Sequence, residues 1–278
     1  MTHKSNFVRM ATASLLVVML WSAGNSHADL GTGLLALYSF DGNGKDSSGN
    51  DRDLNLVGSP GFAAGKFGQA LDLHGNGNQY AVRPVDDAAF NFGSKDFTIQ
   101  LWVNFNTVDH IQTMMEKFSG CCGPGWSLTL DLGGTVYQFD SDNSSGLRDV
   151  HLNSSFSPTA GVWHDLVARS SGTSFDLYVD GVLAASTTYS LPLESSPMPL
   201  LIGRRNSDDG RDFSIDGRID DVAIWNRALS ATEIATLWNG GAGTPVVSTV
   251  PEPETYAMLL AGLGLLGFMT HRRKESAV

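Results

Sequence analysis

The chain of 278 residues holds only two cysteines, Cys121 and Cys122, and they are neighbours. That excludes a multi-disulfide scaffold, a C-x-x-C redox centre and a zinc site built on cysteine pairs. Positive charge is short as well: 18 Lys and Arg stand against 29 Asp and Glu. Without a basic stripe to neutralise phosphates, nucleic acid is excluded as a partner. Glutamate is the third shortage. Residues 29–250 contain 23 Asp but 3 Glu, with 13 Lys and Arg, a net charge of −13. Asp favours turns and disfavours helix interiors, so this imbalance points to many tight connections. There is no G-x-S-x-G elbow and no H-E-x-x-H, and His74, His110, His151 and His164 stand singly. Nucleophilic and zinc-hydrolase chemistry therefore has no sequence basis.

Long apolar runs are confined to the two ends. Lys4 and Arg9 precede an uncharged run over residues 10–21, and Ser26-His27-Ala28 follows. Charge, apolar core and small-x-small site in that order describe a secretory signal peptide, residues 1–28, cleaved after Ala28. At the other end residues 256–270 carry no charge and lead into Arg272, Arg273 and Lys274. With its flanks this stretch approaches the roughly 17–25 residues of a membrane helix, and the basic cluster keeps the C-terminus inside. Pro251-Glu252-Pro253 stands just before it. This order of PEP, apolar helix and arginines resembles the PEP-CTERM sorting signal of Gram-negative bacteria. The resemblance implies a transient inner-membrane anchor over residues 251–278, cleavage by an exosortase-like protease, and a mature protein at the cell surface or in the extracellular matrix. An ordinary C-terminal anchor is the alternative.

Between the ends the periodicity is that of strands. In DFTIQLWVNF, Phe97, Ile99, Leu101, Val103 and Phe105 share one face, and Thr98, Gln100, Trp102 and Asn104 share the other. WSLTLDL and SFDLYVDGVLAAS alternate in the same way, the second around an Asp180-Gly181 hairpin turn. LLALYSF, QALDLH, QYAVRP, TVYQFDS, HDLVARS, LLIGRR and RIDDVAIW are further candidates. Ten or so strands with regular turn signals predict an all-β, two-sheet antiparallel sandwich. One short helix is expected near its end, where Ser230 and Glu233 form a capping box and Ile234, Leu237 and Trp238 an apolar stripe. Residues 242–250 read as a linker.

LLALYSFDGNGKDSSGNDRDLNL, GKFGQALDLHGNGNQYAV, DFTIQLWVNF, HDLVARSSGTSFDLYVDGVLAAS and GRIDDVAIWNRALSATEIATLWNGG occur in that order. Together they resemble the laminin-G-like, concanavalin A-like jelly-roll family, over residues 29–241. The resemblance implies a module that binds sugars, glycoproteins or other modules. Glycosidases on related jelly rolls place acids as E-x-D-x-x-E along one strand. Glu116, Glu194 and Glu233 form no such pattern, and Asp220-Asp221 would point to opposite faces of a strand, so no catalytic residue is assigned.

Loops rich in Asp on an exported chain invite calcium. By the resemblance, which places the first loop beside the last strand, Asp46 and Asp220 are the carboxylate candidates for a structural Ca2+, with Asp41 next. Turn-forming Asp residues without a metal are the alternative. Cys121 and Cys122 admit a vicinal disulfide, intermolecular disulfides or free thiols. The polar face of the central strands is the expected sugar surface: Trp102 between Gln100 and Asn104, with Asp131 and Tyr178 from neighbouring strands, and Thr129 and Asp176 beside them. The alternative there is that Trp102 packs under a covering loop. The sequence thus reads as an exported, non-catalytic surface or matrix adhesion module that binds carbohydrate or exopolysaccharide. A structural protein-protein module of the envelope is the second reading, and a polysaccharide-degrading enzyme the third.

Overall fold

Alternation over five to ten residues, broken by glycine and aspartate, produces two antiparallel sheets packed face to face in the computed structural model, which describes residues 30–119, 123–206 and 213–246. The strands in chain order are Leu34–Tyr38 (β1), Asn55–Val57 (β2), Gly61–Ala64 (β3), Gln69–His74 (β4), Tyr80–Val82 (β5), Phe97–Phe105 (β6), Gln112–Phe118 (β7), Gly125–Asp131 (β8), Val136–Asp142 (β9), Arg148–Asn153 (β10), His164–Ser171 (β11), Ser174–Val179 (β12), Val182–Thr188 (β13), Leu201–Ile202 (β14) and Asp216–Trp225 (β15). A helix, Ala231–Trp238 (α1), follows them. One sheet has the order β13-β12-β11-β6-β15-β4-β3, with β1 also paired to β15. The other has the order β10-β9-β8-β7-β14-β5-β2. The all-β sandwich with a short helix near its end is the fold that the sequence predicts. The signal peptide, Cys121 and Cys122, Pro251-Glu252-Pro253, the apolar tail, Arg272 and Arg273 lie outside the described residues. Among the described residues no helix is long and apolar enough to cross a membrane.

The core forms where the two inner faces meet. Phe97, Ile99, Leu101, Val103 and Phe105 of β6 pack with Trp126, Leu128 and Leu130 of β8 and with Tyr137 and Phe139 of β9. Each such side chain taken fully from water stabilises the fold by roughly 1.5–3 kcal/mol. The β12–β13 hairpin turns on Asp180 and Gly181, at φ 53° and 73°. Two consecutive positive φ values are what a two-residue turn between twisted strands requires.

A second apolar cluster lies on the outer side of the eight-stranded sheet. There Leu30, Leu34, Leu37, Val167, Tyr178, Ala223 and Trp225 meet Leu229, Ile234, Leu237 and Val246. The helix in this layer starts as its sequence dictates: the Ser230 side chain accepts from the Glu233 N–H and the Glu233 carboxylate accepts from the Ser230 N–H. Asn239, in a left-handed conformation, ends it. One face of this sheet is therefore core and the other is roofed.

Strand β15 pairs along one side with β6 and along the other first with β4 and then with β1. The change of partner coincides with a bulge between Asp220 and Ala223, where Asp221 has φ 42°.

Candidate functional site

The roof decides what the expected sugar surface can do. Trp102 is 1% exposed: its ring stacks on Trp238 at 5.6 Å, meets Phe67 edge-on at 6.3 Å, and lies 4.3 Å from the Lys66 ammonium. Gln100 is buried and donates to Asp165 Oδ1 at 2.8 Å. Tyr178 is buried beneath the Arg169 guanidinium, and Asp176 is spent on an ion pair with Arg169 at 2.5 Å. Asn104 alone of this group is half-buried, opposite Arg218. These residues do share one face, as the alternation requires, but α1 and the 239–246 segment occupy it. Trp102 is covered, by Trp238 of the helix together with Lys66 and Phe67 of the loop before β4. Asp131 and Thr129 belong to β8, in the other sheet, and so are never neighbours of Trp102.

In the seven-stranded sheet the outer face is polar. The register aligns Glu116, Ser127, Asp140 and His151 in one row across β7, β8, β9 and β10, and Thr113, Thr129, Gln138 and Asn153 in the next. Between the strands lies a pocket of about 110 Å³, lined by Ser127, Thr129 and Asp131 of β8, Gln138, Asp140 and Asp142 of β9, with Arg148, Arg205, Ile111, Phe118 and Phe213 at its rim. Glycine deepens it. Gly125 stands between Phe118 and Asp142 in the register at φ 132°, and a Cβ there would lie 2.1 Å from the Lys117 carbonyl oxygen, so no side chain fills that position.

The acids of this recess are held in different ways. Asp140 lies 2.5 Å from His151 Nδ1 and 3.8 Å from an Arg148 nitrogen; burial raises its pKa, and the His151 hydrogen bond partly opposes that. Asp142 is raised by burial and by the Asp140 charge, and its buried Oδ1 has no hydrogen-bond partner. Asp131 accepts from the Leu132 N–H at 2.7 Å. Glu116 is fully buried at the back, accepts from the Asn206 N–H, and is pushed by burial up to about 7. Arg205 lies over the rings of Phe118 and Phe213, at 5.6 and 5.1 Å.

The expected calcium ligands divide between two places. Asp46 is an anchor for its own loop, accepting from the N–H groups of Leu37 at 3.0 Å, Ser48 at 2.9 Å and Arg52 at 3.0 Å. Those donors occupy both oxygens. Asp41 and Asp220 remain together, because Gly65–Gly68 passes between them: Asp220 accepts from the Phe67 N–H at 3.0 Å and Asp41 from the Gln69 N–H at 2.7 Å. Asp221 joins them through the bulge. Burial raises Asp220 to about 6 and, with the charges of Asp220 and Asp41, Asp221 to about 8. Among the described residues no three His, Cys, Asp or Glu side chains are already disposed to hold a metal ion.

The recess residues Gln138, Asp140 and Asp142 carry a signal in the sequence, since VYQFDSD places all three at alternate positions of one strand. What the alternation lacks is the pairing of β8 with β9, which sets them opposite Thr129, Ser127 and Gly125.

Comparison with known proteins accords with this fold. Residues 75–235 match the model of the concanavalin A-like lectin/glucanases superfamily. Residues 249–274 match the PEP-CTERM protein-sorting motif. No curated protein matches. Among solved structures the chain is similar to the binding domain of Paraclostridial Mosquitocidal Protein 1, at 18% identity and TM-score 0.64, covering 76% of this chain and 53% of that one. It is similar to domain 4 of AbnA, a GH43 extracellular arabinanase of Geobacillus stearothermophilus solved with arabinotriose, at 21% identity and TM-score 0.59, covering 73% and 96%. It is also similar to the binding domain of botulinum neurotoxin serotype G, at 17% identity and TM-score 0.58, covering 74% and 50%. The chain thus spans about half the length of the toxin domains and nearly all of the arabinanase domain.

Proposed function

Since the chain belongs to the concanavalin A-like lectin/glucanases superfamily, we propose that it is an exported, non-catalytic module that binds carbohydrate in the recess of the seven-stranded sheet. The observation that carries this is the pocket itself: hydroxyls of Ser127 and Thr129, the Gln138 amide and the Asp131, Asp140 and Asp142 carboxylates converge on about 110 Å³. Such a lining matches the alternating donors and acceptors of sugar hydroxyls. The arabinotriose held by domain 4 of the arabinanase supports the same reading.

Its non-catalytic character rests on the disposition of the acids. Hydrolysis needs two carboxyl groups flanking one glycosidic bond. Glu116 is sealed at 0% exposure, Asp140 is shared by His151 and Arg148, and Asp131 and Asp142 stand at opposite ends of the β8–β9 pairing, too far apart to flank one bond. The PEP-CTERM motif supports export, exosortase-like processing and residence at the surface or in the matrix. A structural Ca2+ is part of the proposal, with Asp41, Asp220 and the unpartnered Asp221 Oδ2 as its carboxylates; they would have to draw together around it.

The test is a glycan array probed with the full chain, followed by titration of the strongest sugar against Gln138→Ala and Trp102→Phe variants. Saturable binding that Gln138→Ala weakens and Trp102→Phe leaves alone supports the recess. The absence of saturable binding to any sugar sinks the reading.

A further inference from the structure

Resting on that reading, we infer that the recess takes a sugar bearing a free ammonium group, a de-N-acetylated amino sugar, in preference to neutral or uronic-acid units. The argument starts from a carboxylate oxygen without a donor. Asp142 lines the pocket at 8% exposure, and its buried Oδ1 has no hydrogen-bond partner. A buried acceptor of this kind costs stability until something donates to it, and a charged one costs more.

Among the described residues, Arg148 and Arg205 line the same pocket and their charges favour the ionised Asp142, but neither donates to its Oδ1. Arg148 and His151 both reach Asp140. Arg205 lies against Phe118 and Phe213, where its charge is shared with two ring faces. Asp131, at the other end of the β8 row, takes a donor from its own loop and no side-chain cation. An ammonium group supplies three N–H donors and a positive charge in one place. A neutral hydroxyl supplies one donor and leaves the charge. A uronate adds a carboxylate to a wall that holds three against the two guanidiniums of Arg148 and Arg205, and like charges at close range are repelled. The raised pKa values of Asp140 and Asp142, caused by burial, show the same environment from the side of the protein: it disfavours negative charge that has no counter-ion.

The experiment titrates the full chain, in mild detergent and mildly acidic buffer of moderate salt, with three tetramers: glucosamine, N-acetylglucosamine and galacturonate. The glucosamine tetramer should bind saturably and at least roughly tenfold tighter than the other two. Asp142→Asn should weaken it by roughly 10- to 100-fold, the range of a charge-assisted hydrogen bond. Asp51→Asn, a change at an exposed carboxylate, should leave it unaltered and so separates a site from general attraction to an acidic protein. Asp131→Asn is the second variant, for use should Asp142→Asn shift the melting curve. Equal or tighter binding of the acetylated or uronate tetramer overturns the inference while sugar binding stands. If neither these tetramers nor any sugar on the array binds, the functional reading fails with it.

Discussion

Trp102 and Trp238 stack with ring centroids 5.6 Å apart and planes at 23°, and this contact joins α1 to the outer face of the eight-stranded sheet. The stack has a measurable consequence. Trp238→Ala removes one ring and uncovers the other, and should lower stability by about 2–3 kcal/mol, seen as a fall of several degrees in calorimetric melting. Sugar affinity should stay unchanged, because the recess belongs to the other sheet. A melting curve identical to that of the parent chain would show that the roof is not held there.

The bulge offers a gain instead of a loss. Burial and two neighbouring acids raise Asp221 to about 8, above the ordinary value near 4 of an unfolded chain. The folded state therefore holds a proton that the unfolded state has lost, and stability falls as pH rises from about 4 through 8. Asp221→Asn removes that dependence and keeps a residue that tolerates the positive φ. With calcium chelated, the variant should be more stable by about 1–3 kcal/mol at pH 8 and show little difference near pH 4, read from urea midpoints. A variant weaker at pH 8 would mean that a cation holds the carboxylate.

Calcium is tested by the same chain. Metal bound only by the folded state raises the melting temperature with concentration, so added Ca2+ should raise it, a chelator should lower it, and Asp220→Asn should abolish the difference. Asp46→Ala should lower the melting temperature in both conditions, because it strands the N–H groups of Leu37, Ser48 and Arg52, and should leave the calcium response intact. Coincident curves with Ca2+ and with chelator rule out the ion.

The sorting motif is tested by replacing Pro251-Glu252-Pro253 with three alanines. A simple anchor needs only apolar length and basic flanks, whereas a protease must grip an extended segment that two prolines hold out of a helix. The variant should accumulate as full-length protein in the inner membrane of its host, while the parent chain is shorter and outside. Fractionation in which both stay full-length at the membrane refutes the sorting role.

Much of this architecture is legible in the amino acids. The alternation in 97–105, the Asp180-Gly181 turn and the Ser230 capping box each act over a few residues, so local pattern suffices to place them. Strand β7 escapes because both of its faces are buried and a bulge between Thr113 and Met115 breaks its period. Strands β2 and β3 are three and four residues long, too short to show a period. The burial of Trp102 is illegible for a related reason. A polar row with a tryptophan in it looks the same whether water or protein covers it, and the cover over Trp102 comes from Lys66 and Phe67 earlier in the chain and Trp238 later in it. Asp46 likewise shows as a loop acid, but three backbone N–H groups claiming its oxygens are a property of the folded loop alone.

The last strand is also the middle one. β15 joins β6 to β4 and β1, so until residue 225 has emerged β6, β11, β12 and β13 have no link to β3 and β4, and β1 has no partner at all. Pairing the first strand with the last closes a loop of most of the domain, and contacts of such separation form slowly. A chain threaded through a membrane N-terminus first cannot complete this sheet on the way.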